Sequence, residues 1–189
     1  GLDMSRLAAI SGSAQQHGSV YLGAQADSAL GALDPARPLA EQVAALLSRP
    51  IAPIWMDSST RPQCADITAA VGGADVLAAR TGSRAFERFT GPQIRKFSAE
   101  DPAGYASTQR IHLVSSFLAS LLIGQHAPLD PGDASGMNLM DVQAKQWWPQ
   151  AVEATAPGLA AKLPPIVAPW TDTGRLSRYW QIRYGLPPA

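Results

Sequence analysis

Short apolar runs broken by glycine, proline and small polar residues set the rhythm of this chain. "LAAISGS" (7–13) predicts a short buried strand, and "GSVYLGA" (18–24), with β-branched and aromatic members, a second. A Gly/Ala/Asp/Pro loop follows to about Pro38, then a short helix in "PLAEQVAALLSRP" (38–50) closed by Pro50, then the apolar "IAPIWMD" (51–57), which ends in a carboxylate. "SSTRPQCADITAAVGG" (58–73) has the grammar of a helix: Ser58, Ser59 and Thr60 can cap, Pro62 suits the first turn, and Gly72-Gly73 can end it. "ADVLAARTG" (74–82) repeats that grammar with Gly82 at the stop. The clearest periodicity lies in "PAGYASTQRIHLVSSFLASLLIG" (102–124), where Ile111, Val114, Phe117, Leu118, Leu121 and Leu122 fall at three-four spacing, predicting one helix with Gly124 as its C-cap. "SGMNLMDV" (135–142) predicts a strand, "KQWWPQAVEATAPGLAAKL" (145–163) one or two helices interrupted by Pro149 and Pro157, and "GRLSRYWQIRYG" (174–185) a final amphipathic helix. Strands mixed with helices predict an α/β fold, a mixed sheet flanked by helices, in one domain over 1–189.

Composition narrows the partners. Fifteen Lys+Arg balance fifteen Asp+Glu, so no long-range field steers the chain onto nucleic acid or anionic lipid, and neither is expected as a partner. A single cysteine, Cys64, excludes an internal disulfide and Cys-spaced metal sites, which favours a reducing, cytoplasmic setting. The longest apolar segment, Ile111 to Gly124, carries a His and three Ser and falls short of the roughly 20 residues a bilayer crossing needs. The N-terminus lacks the pattern of a signal peptide and does not begin with Met, so the chain is expected to be cut from something longer.

Candidate chemistry concentrates in "SGSAQQHGSVY" (11–21), where Gln15, Gln16 and His17 stand at the carboxyl end of a predicted strand. In α/β sheets ligands gather at such boundaries. Neutral donors and acceptors there suit a polyhydroxylated ligand; a polar turn satisfying its own backbone explains the same residues. Arg88 by itself reads as a solvated or ion-paired helix arginine. Asp57 lines a cleft, caps the helix that follows or pairs with an arginine. His112 reads as packed and hydrogen-bonded, His126 as a loop or helix-end residue, Trp147, Trp148 and Trp180 as packing anchors, and Cys64 as a small packing residue. No "GxxxxGK[ST]" or "GxGxxG" phosphate loop occurs, so no local device for nucleotide phosphates is identified.

The blocks "SGSAQQHGSVY", "WMDSST", "TGSRAFERFTGPQI", "LVSSFLASLLIG", "DASGMNLMDVQAKQW" and "RYWQIRYGLPP" together, in order over essentially the whole chain, closely resemble the FGGY carbohydrate kinase family. "ERFTG" and "SGMNL" are distinctive of its xylulose-phosphorylating branch, whereas "WMDSST" departs from the "WxDxR" block commoner among sugar kinases. The resemblance implies a ribonuclease H-like, actin-like ATPase lobe, here incomplete, in an enzyme that uses ATP and Mg to phosphorylate O5 of D-xylulose. It implies sugar contacts at His17 and Arg88, with Gln16 in the same wall. It also implies that the catalytic aspartate, in a "GDN" block, lies beyond Ala189, and that the phosphate- and metal-contacting segments lie outside the chain. Asp141 and Asp172 match other family blocks and are not candidates for that base. The chain alone is therefore expected to be inactive, to carry one side of the sugar site, and to associate with itself, as a homodimer for instance, through an unpaired sheet edge. The alternatives are a ribulose- or glycerol-type kinase of the same family, or a non-catalytic sugar-binding module.

Overall fold

The computed structural model describes residues 3–188. Its organising feature is an antiparallel pair in which Ser19–Gly23 (β1) runs against Thr108–Leu113 (β2), with Tyr21 opposite Ile111 and a register shift between Leu22 and Gly23. Residues 46–48 add a short third lane, because Gly23 N–H donates to the Leu46 carbonyl and Ser48 N–H to that of Tyr21. Successive strand side chains point to opposite faces, and this alternation divides the interior. Tyr21 and Ile111 enter a larger core with Ile67, Leu77, Ile94 and Leu139. Leu22 enters a smaller one with Leu30, Leu46, Leu121 and Tyr179.

Between and around these strands lie helices Ala26–Ala29 (α1), Leu39–Ala44 (α2), Arg61–Ala70 (α3), Ala74–Thr81 (α4), Thr90–Glu100 (α5), Pro102–Ser107 (α6), Val114–Ile123 (α7) and Pro131–Ser135 (α8). A second antiparallel pair, Met140–Asp141 (β3) with Gln146–Trp147 (β4), precedes Pro149–Thr155 (α9) and Arg178–Tyr184 (α10). The architecture is mixed α/β, with small antiparallel sheets and many helices. Several stops fall where the sequence puts them. Gly82 and Gly124 close α4 and α7 in the left-handed region, at φ 82° and 72°, where a side chain would be strained.

Three expectations fail, each for an identifiable reason. The predicted strand at 7–13 does not form: Ala8 to Ser13 are exposed, and among the described residues no backbone group of 8–13 finds a partner. A strand is stabilised by its neighbours, so an apolar run without one stays irregular. The single helix predicted over 102–124 is instead α6, β2 and α7 in succession. Pairing with β1 claims Thr108–Leu113, and Val114 N–H reaches the Gly18 carbonyl just before the helix resumes; tertiary pairing overrides local periodicity. "SGMNLMDV" contributes only the two residues of β3, because Ser135 ends α8 and Asn138 turns at φ 62°.

Helix α5 went unread because it opens on Thr-Gly-Pro with no side-chain cap, a start that mimics a loop. Its buried face nevertheless includes Gln93, Ile94 and Phe97, and Gly91 lies so close to the Met137 carbonyl that its N–H donates at 3.0 Å while an added Cβ would stand 2.9 Å away. That contact fixes the turn preceding α5, which carries Arg88 and Phe89.

Candidate functional site

His17 closes the turn leading into β1 with φ 67°, one of three non-glycine residues at positive φ among those described. Holding a β-carbon there costs on the order of 1 kcal/mol, a strain that persists where the surroundings over-determine it. Here they do. The ring is buried, its Nδ1 lies 3.0 Å from the Gly136 carbonyl, the Phe89 ring stands 5.1 Å away, and the Thr90 hydroxyl donates to the His17 carbonyl at 3.4 Å. A carbonyl only accepts, so Nδ1 carries the proton and Nε2 presents a lone pair. Gly136 permits this approach, since a Cβ there would meet the imidazole at 3.3 Å.

Burial pushes the His17 pKa down; the Gly136 carbonyl draws it up, the Arg88 guanidinium pushes it further down, the Asp133 carboxylate draws it up, and the net direction is downward. The downward shift favours the neutral imidazole at pH 7, with Nε2 as an acceptor for a hydroxyl.

Arg88 is half-buried in the turn before α5, not on a helix, and its guanidinium carbon lies 4.6 Å from the centre of the Phe86 ring. Among the described residues no carboxylate pairs with it. The structure thus brings His17 and Arg88, 71 positions apart, onto the same small region through Phe89 and Thr90. Gln16 is exposed beside His17 and makes no side-chain hydrogen bond among the described residues, as is true of Gln15.

Asp57 does not cap α3, whose N-cap is Thr60. Its Oδ1 accepts from the Ser59 backbone N–H at 2.8 Å and from the Ser59 hydroxyl, closing a turn, while Lys96 donates to that hydroxyl at 2.7 Å. Burial alone would raise this carboxyl, but the Ser59 and Gln93 hydrogen bonds and the Lys96 charge hold it below the usual range. Asp141 accepts from Arg80 at 2.8 Å and from two backbone N–H groups. Asp172 accepts from Gly174 N–H in an exposed loop.

Three participants escaped the sequence reading: Phe89, Gly136 and Asp133. Asp130 followed by Pro131 is a helix-start signal, and the structure makes Asp130 the N-cap of α8, accepting from Gly132 and Asp133 N–H groups. Reading that signal would have placed Asp133 and Gly136 on one turn.

Two further features lie apart. A cleft of 690 Å³ runs past Ala8 to Gly12, Ser115, Leu118, Trp170 and Asp172, and neither His17 nor Arg88 lines it. A relay runs from buried Ser116 and His112 through half-buried His126 to exposed Asp27 at 3.1, 2.9 and 2.9 Å. Burial, with the His126 and Arg110 charges, pushes His112 down to about 3. His112 and His126, and with them Trp147, Trp148 and Trp180, behave as structural groups: Trp148 is buried, and the indoles of Trp147 and Trp180 donate to the Pro164 and Leu121 carbonyls at 2.8 Å. Cys64 is half-buried, and burial raises its thiol.

The model of the FGGY family of carbohydrate kinases, N-terminal domain, matches residues 39–189. The chain belongs to the FGGY family of carbohydrate kinases. It is similar to xylulose kinase of Rattus norvegicus, 49% identical over 189 residues, which are all of this chain and 35% of that protein. It is similar also to xylulose kinase 2 of Arabidopsis thaliana, 50% identical over 97% of this chain and 33% of the relative. The chain therefore spans about a third of the length of the curated FGGY relatives it matches. Among solved structures, xylulose kinase from Rhodospirillum rubrum aligns with a TM-score of 0.70 at 18% identity over 90% of this chain and 30% of that one. Gluconate kinase from Lactobacillus acidophilus aligns at 0.72 and 15%, over 98% and 34%. At such identities these show the fold, the actin-like ATPase fold of FGGY sugar kinases.

Proposed function

We propose that this chain supplies the sugar-binding side of an ATP-dependent xylulose kinase, which transfers a phosphoryl group to O5 of D-xylulose and yields xylulose 5-phosphate. The observation that carries the reading is the buried His17 imidazole, strained at φ 67° and anchored through Nδ1, in the same region as an Arg88 that no carboxylate pairs with among the described residues. A sugar hydroxyl both donates and accepts: it can donate to His17 Nε2 while its oxygen, or a neighbour's, accepts from the Arg88 fork. Gln16, in the same turn, extends this wall. Identity near 50% to proteins named xylulose kinase supports D-xylulose as the sugar over the ribulose or glycerol alternatives.

ATP with Mg would supply the transferable phosphoryl group and neutralise its charge. The residues of this chain do not fit as its holder: among the described residues no three His, Cys, Asp or Glu side chains converge as a metal site, and the sequence has no glycine-rich phosphate loop. The share assigned to this chain is therefore to bind and orient the sugar, and the catalytic base is assigned to the part of the relatives' length that this chain does not span. A reducing cytoplasm suits a chain whose sole cysteine is a free thiol.

The test is turnover by the whole protein that carries this chain, with D-xylulose, D-ribulose and glycerol compared in an ADP-release assay. Saturable ATP-dependent turnover with D-xylulose preferred is expected. Preference for glycerol or ribulose, or none with any sugar, overturns the reading.

A further inference from the structure

Asp133 has no role in the reading above, yet it lies in the same turn of chain that anchors His17. It belongs to α8, and Gly136, the residue capping that helix, gives its carbonyl to His17 Nδ1. Its Oδ2 accepts from the Ser115 hydroxyl at the start of α7. Among the described residues its Oδ1 has no hydrogen-bond partner, and no Lys, Arg or His pairs with either oxygen. A half-buried carboxylate with one oxygen tied and the other unclaimed is poised to accept from something else.

The neighbours say what. Asp133 precedes by three residues the Gly136 whose carbonyl anchors the His17 ring, Arg88 directly precedes the Phe89 ring that stands 5.1 Å from it, and among the described residues the two charges do not pair with each other. The imidazole thus has an acceptor-only group near it on α8 and a donor-only group near it in the turn before α5. An anionic ligand drawn by Arg88 would meet the carboxylate, and a cation drawn by Asp133 would meet the guanidinium. A neutral molecule with several hydroxyls satisfies all three groups.

We propose that Asp133 is a substrate-positioning residue of the sugar site, its free Oδ1 accepting a hydrogen bond from a hydroxyl of the sugar held by His17 and Arg88, and its charge selecting neutral sugars against sugar acids. This rests on the sugar-kinase reading above. The Ser115 hydroxyl then sets the carboxylate's orientation, leaving Oδ1 turned to the ligand.

The experiment uses the whole protein, with D-xylulose binding and kinetics as one readout and competitive inhibition by the sugar acid D-xylonate as the other. Asp133→Asn keeps the shape and removes the charge: the KM for D-xylulose is expected to rise roughly tenfold to a hundredfold, the loss typical of one charged hydrogen bond, with the KM for ATP nearly unchanged. D-xylonate should inhibit the variant more strongly than the parent. Ser115→Ala, which removes only the tether, should raise the KM for D-xylulose by less than Asp133→Asn does. Should Asp133→Asn melt below the assay temperature, Asp133→Glu serves: it moves the carboxylate by one methylene, so affinity for D-xylulose should fall while rejection of D-xylonate stays. Unchanged D-xylulose KM in Asp133→Asn, equal losses in Ser115→Ala, or stronger D-xylonate inhibition of Asp133→Glu would each overturn the assignment. A parent protein that neither binds nor turns over D-xylulose is recognised before any variant is made, and overturns the kinase reading with this one.

Discussion

At the scale of single residues, His17 separates a backbone requirement from a chemical one. The left-handed turn tolerates glycine and, among other residues, asparagine best. His17→Asn therefore satisfies the backbone while removing the imidazole acceptor. Its melting temperature should stay within a few degrees of the parent, while the KM of the whole protein for D-xylulose rises about tenfold or more and that for ATP stays put. A variant with unchanged KM takes His17 out of the sugar wall. Arg88→Lys makes a complementary test. Lysine keeps the charge and loses the planar fork, so a rise of roughly tenfold in the same KM is expected in steady-state kinetics. Both residues were legible in the sequence only as members of the blocks "QQHG" and "ERF"; their spacing of 71 positions says nothing about proximity. For Asp133 the sequence offers only its place on the turn that Asp130-Pro131 starts; its significance lies in a carbonyl three residues on that reaches back to His17.

Among the elements, the junction of β2, α7 and α1 holds the most titratable interior. His112 on β2 bonds Ser116 on α7 and stacks on His126, which in turn bonds Asp27 on α1; Arg110 pairs with Asp27 at 3.5 Å. Burial holds both imidazoles below the ordinary 6.5, His112 at about 3. The unfolded chain takes up protons that the folded one refuses, so stability is full above about pH 6.5 and falls as pH drops from there toward about 3. His112 alone contributes a loss of about 2 kcal/mol by pH 5, at roughly 1.4 kcal/mol per pH unit. Urea melts of the chain at pH 7.5 and pH 5 should show it, and His112→Gln should flatten the dependence. A second test lies at the start of α5. Gly91→Ala pushes a methyl against the Met137 carbonyl and should destabilise by about 1–3 kcal/mol in the same melts. These same elements show where sequence reading stops. Helices α3, α4 and α10 announce themselves through their start or stop residues, whereas β2 hides inside helical periodicity because its strand character comes from β1, 85 or more residues earlier. Helix α5 hides behind Gly91 and Pro92, and its identity comes from the core it covers.

On the scale of the whole molecule, the exposed apolar surface and the family comparison point the same way. Trp170 is 85% exposed, and Ile51, Met56, Trp55 and Ile10 also lie open. Ala8 to Gly12, with no backbone partners among the described residues, line the 690 Å³ cleft together with Leu118 and Trp170. Unpaired backbone beside unburied apolar side chains is surface suited to covering by more protein. The curated relatives are about three times as long as the 35% of sequence shared here. If the sugar wall is here and the phosphoryl-transfer groups are elsewhere, the 189-residue polypeptide by itself should release no ADP with ATP, Mg and D-xylulose. It should also self-associate or bind a hydrophobic dye, measured by sedimentation and fluorescence, because its open apolar face has nothing else to pack on. Saturable turnover by the chain alone would mean that a complete phosphoryl-transfer site is built from these residues, and the division of labour argued above would fail. A monodisperse, dye-silent monomer would mean instead that the apolar run at 8–12 needs no covering, and that its irregular course is the finished structure.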